Sequence, residues 1–399
     1  MAMENVAQTM FNCIKYEICR QIEKIVLPEV SVRFLSELYR LSKAHDVAHL
    51  VGDALNKSGV FENLPADLDE DERAAIEKIK AKFDEQIFTA VYRYENINYE
   101  LERLKETLEE AEIPFILLKG SVIRKYYPEP WMRTSCDIDI LVKKEDLDKA
   151  SLCLTNNLQY LKEERATHDI SFFSPNGVHI ELHFDLVEEG RAKNANKILS
   201  GVWEQVVLSK GSNYCYEMHD AFFYFYHIAH MAKHLESGGC GVRPFIDLLI
   251  LDNMDNADNN ERNELLSKGA LLQFANASRK LSKVWFIGDA SDDISGQMQE
   301  FVLQGGSYGS VDNRVAAKKK HGKIRYLLSR IFIPWAKLKR YYPILEKAPI
   351  LMPIMQIRRW FMLLNPNVRK MVKMELAANK NIQNTQLKDT QTLLKNIGL

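Results

Sequence analysis

The sequence predicts an α+β protein: a short strand-rich core clasped by helical N- and C-terminal regions. Three observations carry that reading. Apolar residues recur at helical spacing up to about residue 112 and again after Met218. At Ile113 the period changes, and short apolar or alternating runs follow as far as Leu186. Pro175-Asn176-Gly177, between two such runs, is a hairpin turn signal.

The elements follow in chain order. Phe34-Leu35-Leu38-Tyr39-Leu41 and then Val47, Leu50, Val51, Ala54 and Leu55 repeat at helical spacings. The acidic break Leu64–Glu72 opens a long helix, its negative first turn suited to the positive helix N-terminus. One apolar stripe, Ile76, Ile79, Phe83, Ile87, Val91, Tyr94, Ile97, Leu101, Leu104 and Leu108, runs along it to about Glu112. Pro114–Leu118 is too short for a helix and is bounded by Pro and Gly, so it reads as a buried strand. Ser121–Tyr126 is a short helix, Asp137–Val142 a strand, Lys144 to about Asn156 a helix, and His168–Phe173 with Val178–Leu186 a strand pair. Helices resume at Met218, including the aromatic-rich Ala221–Leu235 and, after Gly238-Gly239-Cys240-Gly241, Arg243–Leu251. The predicted divisions are a helical region 1–112, the core 113–187, a helical domain 188–300, and a basic helical region 301–399 whose tail beyond about Ala377 is polar and loosely ordered.

With 399 residues, 46% of them apolar, the chain has ample material for a buried core. A formal charge of -1 excludes a uniformly basic nucleic-acid binder. Six cysteines without a C-x-x-C pair read as reduced thiols. The N-terminus lacks a basic segment followed by an apolar run, and no stretch approaches 18 uncharged apolar residues, so the expectation is a cytoplasmic protein without a transmembrane segment.

The chemistry concentrates in the core. On a strand, residues two apart face one side, so Asp137 and Asp139 project together while Ile138 and Ile140 enter the core. Two carboxylates on one face make the hard-oxygen site that magnesium prefers. Glu181 lies in another alternating strand, between Ile180 and Leu182, and a neighbouring strand can bring it beside the pair. Three carboxylates can hold two metal ions about 3.5–4 Å apart, which activates a nucleophile and stabilises leaving pyrophosphate. Gly120-Ser121 ends a strand and opens a helix: glycine admits a phosphate close to the backbone, and the helix N-terminus and hydroxyl can hydrogen-bond it. Lys119, Lys125 and Arg133 are cations suited to triphosphate charge, Arg133 by a bidentate contact.

Leu-Leu-Lys-Gly-Ser (117–121), Tyr126-Tyr127-Pro128-Glu129-Pro130, Arg133, Asp-Ile-Asp-Ile-Leu-Val (137–142) and Ile-Glu-Leu-His (180–183) together resemble the bacterial uncharacterised nucleotidyltransferase family of the DNA polymerase beta superfamily. The similarity extends to Ala229-His230, Lys233-His234, Arg243-x-x-x-Asp247 and the basic stretch ending Arg340-Tyr341-Tyr342-Pro343. The resemblance implies the minimal nucleotidyltransferase core, a mixed sheet with helices. It also implies magnesium or manganese, and NMP transfer from an NTP, ATP by expectation, to an acceptor it leaves open: small molecule, RNA or protein. By that analogy Gly120 and Ser121 grip the triphosphate, Asp137 and Asp139 ligate metal, and Glu181 is the third carboxylate. The chain departs from the superfamily pattern in the long Ser121-to-Asp137 gap and in a third acid that is Glu rather than Asp.

His227, His230 and His234 share one helical face. A zinc site competes there with simple packing, and packing is favoured because nothing completes a closed zinc set. A third reading turns His230, Lys233 and His234 toward nucleotide or acceptor. Arg243 and Asp247, one turn apart, are most simply a helix salt bridge, or else a brace against the site. His183 and Asp185 continue the Glu181 face, His183 as an orienting group or acceptor-side base and Asp185 as rival third carboxylate. Basic residues from Arg314 to Arg340, interleaved with Tyr326, Leu327, Phe332 and Trp335, fit a solvated face, an RNA surface or a segment on anionic lipid. Two rival functions therefore stand beside catalysis: a non-catalytic nucleotide-binding module of the same fold, and an interaction protein acting through the basic region.

Overall fold

The computed structural model describes residues 2–20, 22–165, 168–187, 193–254, 257–307, 309–318, 331–335, 338–339, 342, 344–361 and 384–399. Four helices open the chain: α1 (Ala2–Cys19), α2 (Val32–Ala44), α3 (Ala48–Lys57) and α4 (Glu70–Glu110). The core follows as β1 (Phe115–Leu117), α5 (Gly120–Ile123), β2 (Asp137–Val142), α6 (Leu147–Asn156), β3 (Leu161–Arg165), β4 (Asp169–Phe173) and β5 (His179–His183). Then come α7 (Lys193–Leu199), β6 (Val206–Leu208), β7 (Cys215–Met218), α8 (Asp220–Glu236), α9 (Arg243–Asp252), α10 (Asn259–Lys268), α11 (Leu272–Phe286), α12 (Asp293–Gly305) and α13 (Val311–Lys318).

Among the described residues the strands form one mixed sheet in the order β3-β4-β5-β2-β1-β7-β6. β2 runs parallel to β5 and β1 parallel to β7, and every other neighbouring pair is antiparallel. The α+β class and the mixed sheet flanked by helices are as the sequence predicts. Strands β3, β6 and β7 were not legible there. β3 reads Leu-Lys-Glu-Glu-Arg and sits at the sheet edge with Leu161 exposed, so no buried face imposes alternation. β6 and β7 extend the sheet beyond Leu186, on the far side of β1.

Alternation sorts the sheet's two faces. Phe115, Ile138, Ile140, Ile170, Phe172, Ile180 and Leu182 pack under the second half of α4 and under α6, against Leu101, Leu104, Leu108 and Leu154. Ile116, Leu118 and Leu141 point the other way, into a larger core shared with α1–α3, α8, α9 and α11. In that core Phe11 of α1 stacks on Trp285 of α11 at 4.6 Å.

α4 spans both cores, which is why its stripe runs so long. Ile76, Ile79 and Phe83 enter the helical core and Ile97–Leu108 the sheet core, while Val91 between them is exposed. Its start is a capping box, Asp69 accepting from the Glu72 backbone N–H and Glu72 reaching back to the Asp69 N–H. Further along, fully buried Glu100 accepts from Tyr160 Oη (2.7 Å) and from Asn176 Nδ2 (3.0 Å) in the hairpin turn, tying α4 to the β4–β5 unit.

The predicted loose tail is corrected in part, since Asn384–Asn396 is a helix. Thr390, Leu393, Leu394 and Ile397 recur at helical spacing and are buried, the last three in the larger core. Gly238 (φ +114°) and Gly309 (φ +77°) let the end of α8 and the approach to α13 cross in contact, where a Cβ on Gly309 would lie 2.6 Å from the Gly238 carbonyl carbon. Most of the basic stretch 314–340, including Tyr326 and Leu327, lies outside the described residues. Arg314, inside them, donates to the Ser237 carbonyl at the end of α8 (3.3 Å). No helix among the described residues is long and apolar enough to cross a membrane.

His45, which ends α2, is buried with Nε2 3.3 Å from the Leu303 carbonyl and, among the described residues, no partner on Nδ1. Burial, against a weaker pull from that carbonyl, pushes its pKa down from 6.5 to about 4. Between those values the unfolded chain binds a proton that the folded chain refuses. Stability is therefore full above the unfolded value and falls on acidification, by about 3 kcal/mol from this residue alone. Urea unfolding at a series of pH values should give a shallower acid slope for His45→Gln than for the parent; equal slopes would exclude this origin.

Candidate active site

The decisive feature is a register. In the parallel β2–β5 pair, Asp137 lies opposite His179 and Asp139 opposite Glu181. With alternation on both strands, Asp137, Asp139, His179, Glu181 and His183 rise on one face. Three carboxylates separated in the chain thus meet, and all three line a cleft of about 410 Å³ between the sheet and helices α8 and α9.

Strong electrostatic coupling marks this cluster. Lys119 Nζ is 2.6 Å from Asp139 Oδ1 and 4.0 Å from Glu181 Oε2. His183 Nε2 lies 2.8 Å from Asp139 Oδ1 and 3.3 Å from Glu181 Oε2. Burial alone would raise the Asp139 pKa, but the Lys119 ammonium and the His183 hydrogen bond outweigh it and hold the carboxyl well below its ordinary value. Asp137 moves the other way, raised by burial and then by the charge of Asp139. Lys119 is raised because its carboxylates, Asp139 foremost, overcome the burial that would lower it.

Lys119 reaches this position through an unusual backbone. Leu118-Lys119-Gly120-Ser121 is a tight turn closed by Ser121 N–H to Leu118 O (3.2 Å), with Lys119 at φ +46°, ψ −120°. These are type II′ angles that glycine normally supplies, and a side chain there costs about 1–3 kcal/mol. The strain places the ammonium over the carboxylates. Gly120 follows at the cleft wall, where a Cβ would come 3.3 Å from Ser135 Cβ.

Other predicted residues fall differently. Ser121, one helical step from Gly120, is turned by about 100°. Its Oγ is buried without a partner among the described residues, and the residue lines a separate cavity of about 400 Å³ behind the turn, so the expected hydroxyl contact to a phosphate in the cleft is corrected. Lys125 lines that same cavity, 3.6 Å from Glu217. Arg133 lines the cleft, yet all three guanidinium nitrogens are engaged: Nε and Nη2 by Asp247 (2.7 and 2.8 Å) and Nη1 by the Thr134 carbonyl (2.6 Å). Its fork is a brace, so the expected bidentate phosphate contact would require that pair to break.

The Arg243–Asp247 helix salt bridge is likewise replaced. Arg243 pairs with Asp46 (2.6 Å) and Asp247 with Arg133, so α9 is tied to the end of α2 and to the segment before β2. From α8, His230, Lys233 and His234 line the cleft opposite the carboxylates. His230 Nε2 is 3.0 Å from His234 Nε2, and burial first, then Lys119, lower the His230 pKa well below its ordinary value, so it faces the cleft uncharged. His227 meets the Pro244 carbonyl (3.1 Å). None of these three joins a metal-ligand set among the described residues. Asp185, the rival acid, lines the cleft but accepts from its own Val187 N–H (2.8 Å).

His179, which stands close enough to Asp137 and Glu181 to join a ligand set, was overlooked, although its signal was present: His179, Glu181 and His183 repeat the two-residue period on β5. Asp46, which holds α9 through Arg243, had no local signal; Tyr127, which holds it through Asp247, stood in the Tyr126–Pro130 string but without a role.

The donor chemistry fits a divalent metal. Asp139, Glu181 and His183 offer ligand atoms within 4.8 Å of one another, and so do Asp137, His179 and Glu181. No curated protein and no solved structure matches the chain. Residues 35–286, from α2 to the end of α11 and so including the whole sheet and every cleft-lining residue but Ser307, and not the basic stretch, match the family described as uncharacterised nucleotidyltransferase, to which the chain belongs.

Proposed function

We propose that the protein transfers a nucleotidyl group from an NTP, ATP foremost, to an acceptor hydroxyl or phosphate in this cleft. The observation that carries the reading is the Asp139–Glu181 register, which sets three carboxylates beside the Gly120 turn. Asp137, Asp139 and Glu181 would hold magnesium or manganese. When bound, the metal supplies Lewis acidity that lowers the pKa of an acceptor hydroxyl and neutralises charge on pyrophosphate.

The remaining work belongs to the chain. Gly120 admits the triphosphate close to the backbone. Lys119, whose ammonium sits on Asp139 at the cleft wall, would meet the charge of the phosphates. Lys233 meets negative charge from the α8 side, while neutral His230 and its neighbour His234 hydrogen-bond donor or acceptor. The acceptor oxygen attacks the α-phosphorus in line, one P–O bond forming as that to pyrophosphate breaks. The test is incubation of the full chain with each α-labelled NTP, magnesium or manganese, and cell extract. Label should move to an acceptor with one pyrophosphate released per transfer; label that stays in nucleotide with every donor and both metals would reject the reading.

A further inference from the structure

The cluster contains more than oxygen. Both ligand sets on the β2–β5 face include an imidazole, His183 with Asp139 and Glu181, and His179 with Asp137 and Glu181. This follows from the backbone: two parallel strands in register, each presenting every second residue, place His179 beside Asp137 and His183 one step beyond Asp139. His183 is buried, with its Nε2 directed at both carboxylates (2.8 and 3.3 Å). Nε2 donates its proton to these carboxylates here; without that proton its lone pair would aim at the point the oxygens surround. Magnesium takes oxygen ligands and keeps much of its water, whereas imidazole nitrogen favours the first-row transition metals.

We infer that His179 and His183 are metal ligands that make the site selective for a divalent first-row transition metal over magnesium. The inference rests on the nucleotidyltransferase reading for the purpose of the metal, though not for its detection. Lys119 competes for the same oxygen of Asp139, so a metal that gains a nitrogen ligand displaces the ammonium more readily than one that does not.

The test uses the full chain freed of metal by a chelator and read without nucleotide. Manganese is titrated while the paramagnetic signal of the free ion is followed, and magnesium is then added as competitor. The expected result is that magnesium displaces manganese only at an excess of about tenfold or more, the scale at which one metal-site contact changes affinity. The electron spin echo of bound manganese should carry imidazole nitrogen modulation, reduced in His183→Gln and in His179→Gln. Competition on equal terms, or an echo from the parent protein without nitrogen modulation, overturns the inference, and neither reading depends on a variant folding. If nitrogen coordination is absent while labelled NTP still releases pyrophosphate, the ligand assignment falls alone. If coordination is present and no NTP reacts, the inference stands and the proposed function falls.

Discussion

Asp139→Asn should abolish nucleotidyl transfer and leave the fold standing. Losing the carboxylate central to the metal set removes several kcal/mol of charge stabilisation, about a thousandfold or more in rate. The structural cost is small because of what remains. The amide oxygen of the substituted side chain still offers an acceptor to Lys119 and His183, Glu181 still lies 4.0 Å from the ammonium, and Asp137 is relieved of the like charge that helps raise its pKa. The stability loss should be about 1–2 kcal/mol, hydrogen bonds to a charged group kept in weaker form. Pyrophosphate release and urea unfolding, measured on one preparation, separate the two effects. Release comparable to the parent's would end the assignment of Asp139, and collapse of the fold would show that the carboxylate is needed chiefly for structure.

The carboxylates were legible because alternation is local. Asp-Ile-Asp-Ile-Leu-Val sends its acids one way and its aliphatics the other, whatever strand lies beside it, and Ile-Glu-Leu does the same for Glu181. Their meeting depended on which strands pair and in what register, a tertiary fact that the sequence permits without specifying. Ionic partners were harder still. Arg133 and Asp247 are 114 residues apart, Arg243 and Asp46 197 apart, and the sequence offered each a nearer alternative, a phosphate for one and a helix neighbour for the other. Ser121 failed for a smaller reason, since a helix that begins at Gly120 rotates the next side chain out of the cleft. The Asn384–Asn396 helix could have been found, because Thr390, Leu393, Leu394 and Ile397 hold a helical period that the surrounding polar residues masked.

The second large effect is expected at Arg133→Ala, and there the fold should suffer. Asp247 is 1% exposed and accepts from Arg133 Nε and Nη2 and from Tyr127 Oη (2.6 Å). Among the described residues Arg133 is the one cation in contact with it, whereas Asp139 meets both Lys119 and His183, so removing the guanidinium strands a buried charge. That costs about 3–5 kcal/mol. The sign with pH is fixed by linkage. Burial alone would raise the Asp247 pKa, but Arg133 overrides it and the folded value lies below the ordinary one. The pair's contribution is thus present above the unfolded carboxyl value and lost only as pH falls through the lower folded one. Without Arg133 burial prevails, the folded value rises, and protonation relieves the penalty. The gap between parent and variant should therefore be widest near neutrality and narrow on acidification. Arg133→Met with Asp247→Leu, which removes both charges, should recover most of the loss. A destabilisation that is flat with pH, or a double variant no better than the single, would exclude the stranded charge as cause. If instead Arg133→Ala unfolds like the parent but loses affinity for the triphosphate, the guanidinium leaves Asp247 when substrate arrives and is the phosphate ligand that the sequence suggested.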